Sequence, residues 1–408
     1  MSKGTPNSLR LEVLQGMVSK LTPSTDNRFL SLFGTRQYDS DTIRWAAEYG
    51  AMGMTPFAAP GAPAPVTTDD DWYNEGSARA AYYKEKKYFD ESFLNNLANE
   101  INPLVRKTAQ QTLARALAKL NYRCDRRREW MLAKMLFDGG FSYTQEKGLK
   151  FSVDYGIPST HKVTLAGNDV WGTGSTRNPI EDIMDMKKLL KDDAGVDESQ
   201  IISITTSEVL KLLMFDSNVV DLLKKSNFGN GDLYANPGKV IGTLLGVGEL
   251  TTYDALYEFR SHIVGNVSAG SGTIVVEDIT DFEIGGVARI RDMSKPRSWE
   301  DITITGINYT TNTITLASNT TGSYVHGRDV VICRKRFVSP NKFMMFSSVA
   351  EGQKIAEFME APYGMERKWG KSVDTKSEWD PDGIWLRVQD KGLPVLYNPE
   401  TIVTLTVK

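Results

Sequence analysis

The side chains best suited to chemistry fall into three small groups. An acidic triplet, Asp69, Asp70 and Asp71, sits in "TTDDDW", where adjacent carboxylates suit a magnesium ion or a basic partner. An arginine triplet, Arg126, Arg127 and Arg128, sits in "CDRRREWMLAKMLFDGG", with Arg123 just before it; guanidinium groups at that density suit phosphates or carboxylates. Three histidines (His161, His262, His326) and two cysteines (Cys124, Cys333) are the remaining soft ligands and nucleophiles, and all are widely separated.

None of these groups completes a catalytic constellation. "NPGKVIGT" contains Gly-Lys but lacks the upstream glycine of a P-loop and the Ser/Thr after the lysine. "DPDG" at Asp380 has neither the third oxygen ligand nor the closing glutamate of a calcium loop, and reads as a turn. No G-x-S-x-G elbow accompanies the histidines, and two cysteines cannot form a four-cysteine zinc site. Without a phosphate-binding motif, "TDDDW" reads as a solvated acidic loop tip. Neither catalytic residues, a metal nor a cofactor is expected.

The arginines admit three readings. A DNA-recognition helix needs a short helix-turn-helix context, whereas these residues lie deep in one very long helical pattern. A catalytic anion site needs a Gly-rich loop or a base, and none is adjacent. What remains is a solvated helix face partly offset by Asp125 and Glu129, salt bridges between subunits, or contact with a polyanion. Between residues 103 and 138 there are nine Lys/Arg against three acids. That local excess stands out in a 408-residue chain of formal net charge −3, so any basic function is local rather than global.

The elements that must position these groups are legible. Cysteine usage and the absence of a long apolar run predict a soluble intracellular-type protein. Residues 1–45 are polar and mixed, and read as an extended arm that needs a partner surface to become ordered. Residues 46–90 combine four prolines with Trp72, Tyr73, Tyr82, Tyr83 and Tyr88, and read as a long two-legged loop that lies on something else. Pro103 to Asp138 keeps 3–4 apolar spacing through Leu113, Leu117, Leu120, Cys124, Met131 and Met135, with Pro103 at the start and Gly139 as a stop. "PIEDIMDMKKLLKDDAG" and "SEVLKLLMFDSNVVDLLKKSN" read as helices flanking a buried strand, "SQIISITT". Residues 264–335 change to short β-branched runs between Gly and Asn/Thr turns, a small barrel or sandwich inserted into an α/β domain. "KFMMFSS", "IAEFME", "GIWLRVQDKGLPVL" and "ETIVTLTVK" then read as strands.

This order of parts resembles the lambda-type major capsid proteins of tailed bacteriophages, the capsid protein E family. The resemblance is carried by "PSTDNRFLSLFGTRQYDSDTIRWAAEYGAMGMTPFAAPGAP", "RRREWMLAKMLFDGGFSYTQEKGLKFSVDYG", "LTTYDALYEF", "APYGMERKW" and "GLPVLYNPETIVTLTV". It implies an α+β capsid fold: an N-arm (1–45), an E-loop (46–90) and a peripheral domain with a spine helix (91–178). An axial domain in two parts (179–263 and 336–369) and return strands of the peripheral domain (370–408) complete it. The inserted β-domain (264–335) departs from the simpler members and is similar to insertions on other phage capsid proteins that brace neighbours, assist folding or face outward.

The resemblance further implies a structural, non-enzymatic protein of the virion, assembled in the host cytoplasm as hexamers and pentamers of an icosahedral head around double-stranded DNA. Scaffolding, portal and decoration proteins are its implied partners; a membrane is not. Asp69, Asp70, Asp71, Trp72, Tyr73, Tyr82, Tyr83 and Tyr88 would then meet a neighbouring subunit, a role that competes with packing of the aromatics on their own subunit. Arg123, Arg126, Arg127 and Arg128 would face a neighbour or the genome. A tail or baseplate protein, or a carbohydrate-binding module on an α/β domain, remains the alternative.

Overall fold

A computed structural model describes residues 27–49, 72–144, 150–226 and 228–408 apart from 229, 296, 351 and 381, together with 13, 14, 16, 17 and 57. The acidic triplet Asp69–Asp71 and nearly all of the proline-rich half of the loop lie outside these residues, as do the side chains of Trp72 and Tyr73. The chain forms two compact units, one of Met1–Gly140, Asp154–Tyr253 and Asn341–Lys408, the other of Phe141–Val153 and Asp254–Pro340.

The first unit is organised by the spine helix, Pro103–Asp138. Asn102 caps it by accepting from the Leu104 and Val105 amides, and Pro103 occupies the first turn, where a missing N–H costs nothing. Gly139 ends it in the left-handed region at φ 73°, donating its amide to the Met135 carbonyl. At ~1.5 Å per residue the helix is about 54 Å long. Its middle buries one stripe through Ala109, Leu113, Ala116, Leu117, Leu120 and Cys124, whereas Met131 to Ala133 and Met135 to Phe137 are buried all round.

That stripe packs on a five-stranded sheet. Asp382–Leu396, fifteen residues long, lies at its centre and pairs antiparallel with Ala81–Asp90, Ser372–Trp379 and Ala356–Glu360. Thr35–Gln37 adds in parallel to Ala356–Glu360. Phe89, Val373, Ile384, Leu386 and Val388 form the inner face against the helix, and Leu14 of the arm is buried in the same cluster. A second core lies on another five-stranded sheet. There Ile201–Thr205 and Leu250–Thr252, before the inserted module, join Lys342–Ser347 and Ile402–Thr406, after it. Helices Pro179–Ala194, Ser207–Met214, Ser217–Lys224 and Pro237–Leu244 cover that sheet.

In the second unit six antiparallel strands run in the order Leu256–His262, Val330–Arg336, Val287–Arg291, Trp299–Asn308, Thr313–Leu316, Thr273–Val275. A bridge between Ile263 and Val276 brings the first strand to the last, so the sheet closes on itself as a small barrel. Its interior is filled by β-branched and aromatic side chains, among them Ile274, Phe282, Ile290, Ile304, Ile314 and Val331.

Three boundaries differ from the sequence-based division, each because sheet membership is a non-local property. "LYEFRSH" pairs residue for residue with Val330–Arg336, so the β-unit begins near Asp254 rather than residue 264. Ala356–Glu360, assigned from sequence to the second part of the axial domain, instead pairs with Asp382–Leu396. Ile402–Thr406, assigned to the return strands, instead pairs with Lys342–Ser347. The described part of the arm, for its share, packs on its own chain. Helix Arg28–Phe33 buries Phe29 and Phe33 within its own chain, and the Glu129 carboxylate accepts from the Phe29 and Leu30 amides and the Tyr253 hydroxyl at 3.0, 2.9 and 3.1 Å. No described helix is long and apolar enough to cross a membrane.

Candidate assembly surfaces

The arginine cluster divides by helical geometry. Arg128 points inward with its side chain 4% exposed and grips Asp390 with both arms of its fork, Nε to Oδ2 at 2.6 Å and an NH2 to Oδ1 at 2.8 Å. The same terminal nitrogen lies 2.8 Å from Glu360, and the guanidinium sits 4.9 Å from the centre of the Phe358 ring. Burial alone would push this guanidinium down, but Asp390, Tyr83 and Glu360 around it together more than offset that and hold it above its usual value. Arg128 is therefore no part of a surface cluster: it is the charged rivet between the spine helix and the long strand.

The other three arginines stay at or near the surface. Arg123 pairs with Glu85 of the neighbouring strand, and Arg127 stacks on Trp130 at 5.1 Å. Arg126 stacks on Tyr122 at 5.2 Å and donates to its hydroxyl at 2.8 Å. At ~100° per residue, Arg126 falls on the same face as Tyr122, Lys119 and Arg115, and Arg115 and Lys119 are exposed. The helix thus carries a basic stripe of Arg115, Lys119 and Arg126 that no acid interrupts, because Asp125 and Glu129 are turned inward and buried. Arg115 and Lys119 are among the nine basic residues of this helix, and their spacings of four and seven put them in line with Arg126.

Of the loop's aromatic residues, Tyr82, Tyr83 and Tyr88 are tied to their own chain. Ala81–Asp90 is a full strand in register with the long strand, Tyr88 opposite Trp385 and Tyr83 opposite Asp390. Tyr83 turns to the helix side and donates to the Asp390 carboxylate at 2.5 Å; burial and that carboxylate hold its phenol well above the usual value. Tyr82 and Tyr88 turn to the other side. Tyr82 donates to Gln389 at 2.6 Å but stays 43% exposed. Tyr88 donates to the Asp382 carbonyl at 2.9 Å and lies 4.9 Å from the Trp385 ring. Trp72 and Tyr73 open strand Trp72–Arg79, which pairs with Thr42–Tyr49.

Among the described residues no group of three or more His, Cys, Asp or Glu could hold a metal ion. Cys124 and Cys333 are buried, and burial pushes both thiols up to about 12. His161 is wholly buried and bridges the Ile402 carbonyl and Asp193, both at 2.9 Å, fastening helix Pro179–Ala194 to the last strand.

What the molecule offers is a braced subunit with charged faces, and comparison with known proteins agrees. The family model described as phage major capsid protein E matches residues 13–264. The chain belongs to that family. Its role is structural rather than catalytic: it is a subunit of a phage capsid shell, and its place is the virion. Among solved structures, a protein assigned as the capsid protein of a prophage in Escherichia coli CFT073 shares the fold at TM-score 0.50 and 13% identity, over 96% of this chain and 95% of that one. A phage-related protein from Bordetella bronchiseptica RB50 is similar at TM-score 0.48 and 10% identity, over 97% and 96%. The search of curated proteins found no match.

Proposed function

We propose that the capsid protein self-assembles into the hexamers and pentamers of an icosahedral head that encloses double-stranded DNA. The family match over residues 13–264 carries this reading. Many weak contacts, repeated around a closed shell, supply the stability that no single contact has. The acidic triplet Asp69–Asp71 and the exposed part of the loop strands, Tyr82 above all, supply contacts to a neighbouring subunit. The basic stripe of Arg115, Lys119 and Arg126 faces packaged DNA or a scaffold through non-specific, salt-sensitive contacts. Scaffolding, portal and decoration proteins are the further partners, and the β-barrel unit braces neighbours, assists folding or faces outward.

The test is to express the chain alone and image the product by negative-stain electron microscopy. Closed particles hundreds of ångströms across are the expected result. Tubes or rings would point to a tail protein instead, and a small oligomer would overturn the reading.

A further inference from the structure

Three lysines from three separate elements converge where the spine helix ends. Lys134, one turn before that end, lies 2.7 Å from Asp138 Oδ2, and Lys342, opening strand Lys342–Ser347, lies 3.8 Å from the other carboxylate oxygen. Lys162, opening the short strand Lys162–Thr164, packs so closely on Gly139 that its ammonium lies 2.6 Å from where a Cβ would stand. The glycine that stops the helix therefore also makes room for the third cation. Sheet register holds the lysines together. Ile402–Thr406 runs between their two strands, with Thr404 beside Lys162 and Thr406 beside Lys342. Val403 and Leu405 point into the helix-covered core, so strand alternation turns Thr404, Thr406 and both lysines to the opposite face, towards the spine helix.

The charges do not balance. Among the described residues Asp138 is the one carboxylate within ion-pair distance of these ammoniums, so three cations meet one anion. The carbonyl end of the helix offsets roughly half a further charge. Lys342 is only 19% exposed. Burial holds its ammonium below the ordinary value; Asp138 pulls it up, and Lys134 and Lys162 push it down again. Like charges gathered away from water cost free energy unless an anion joins them. A phosphate group suits the arrangement best. It spreads its charge over several acceptor oxygens and so takes ammoniums arriving from different directions, whereas a carboxylate offers two oxygens in one plane.

We infer that Lys134, Lys162 and Lys342, with the Thr406 hydroxyl beside them, form an oxyanion site for a phosphate group, free or carried on a nucleic-acid backbone. Asp138 occupies two of the ammoniums and competes with the incoming anion. All of these residues belong to one compact unit of one subunit, so the site does not depend on shell assembly. It is also separate from the Arg115, Lys119 and Arg126 stripe, since Lys134 lies eight residues, about 12 Å, beyond Arg126 along the helix.

The experiment titrates the unassembled full-length chain with inorganic phosphate and, separately, with a short DNA duplex, by calorimetry at constant ionic strength. K162M/K342M, checked for wild-type circular dichroism, loses affinity by about tenfold or more, and D138N gains about tenfold, the order expected when one neighbouring charge near a protein surface is removed. The gain in D138N separates an anion site from a purely structural ion-pair network, which would unfold more easily and leave phosphate affinity unchanged. Should the double variant not fold, K162M alone carries the test, because its ammonium has no carboxylate partner among the described residues. Phosphate binding with no duplex signal assigns the site to free phosphate, and a duplex signal that K162M/K342M removes assigns it to a nucleic-acid backbone; both support the site. No affinity for either probe, affinity unchanged in folded K162M/K342M and K162M, or tighter binding of a polyglutamate peptide than of both probes overturns it and leaves the capsid reading intact.

Discussion

Replacing Arg128 by methionine is the most decisive test of how the subunit is held together. The side chain makes two charged hydrogen bonds to Asp390 and one contact to Glu360. Asp390 is 0% exposed, and without Arg128 it would keep, among the described residues, the Tyr83 hydroxyl and the Lys391 amide as partners. Removing one member of a buried ion pair typically costs about 3–5 kcal/mol, mostly the penalty of the stranded charge. Because two neutral donors remain on Asp390, the lower end, about 3 kcal/mol, is expected. That is a large share of the ~5–15 kcal/mol by which folded domains are stable.

The assay is urea unfolding of the unassembled subunit, read as a fall in midpoint with an unchanged slope. R128M combined with D390L removes the stranded charge as well, and should recover most of the loss. Arg128→Lys keeps the charge but not the fork, and falls between. An R128M subunit within about 1 kcal/mol of wild type would refute the buried rivet, given the usual cost of an unpaired buried charge.

Further outcomes follow from other contacts. Burial raises the Glu129 carboxyl above its ordinary 4.5 against the opposing pull of the Phe29 and Leu30 amides. A raised carboxyl contributes stability that is fully present below its unfolded value and is lost as pH rises through the folded one. E129Q should therefore flatten the stability–pH curve just above pH 4.5, as read by denaturation at stepped pH. Cys124 and Cys333, with thiols pushed up to about 12, should resist a thiol reagent at pH 8 in the native state and react in denaturant. A Cβ at Gly76 would collide with the Trp45 ring on the paired strand, so Gly76→Ala should cost about 1–3 kcal/mol in the same urea assay. Reversing the stripe as R115E/K119E/R126E should leave subunit folding intact and reduce DNA retained in particles, measured after nuclease treatment. Unchanged DNA content would remove the stripe from genome contact.

Local patterning carried much of the fold. The spine helix runs from Pro103 to Asp138 with its proline start and glycine stop, because capping and apolar spacing act within a few residues. The strands after residue 340 were equally readable, but not which sheet each joins, since "IAEFME" and "TIVTLT" have the same β texture and only their distant partners differ. Arg128 shows the same limit from a different angle. It fills the one gap in the apolar stripe between Cys124 and Met131, so the spacing already put it inside. Its charge pointed the other way, and the partner that makes burial tolerable, Asp390, lies 262 residues on.

The charged surfaces divide in the same manner. Composition located the acidic run, the arginines and the tyrosines, because residue type is a local fact. Which tyrosine serves the core and which the surface followed from strand register, where one step turns a side chain to the opposite face. Tyr83 faces Asp390 beneath the sheet while Tyr82 and Tyr88 stand above it. Which residues share one face of that sheet could not be found from spacing at all, since Lys376 comes beside Lys86 only when two strands far apart in the chain pair with a third. Burial and long-range pairing depend on closing the chain, and no short window of residues contains that information.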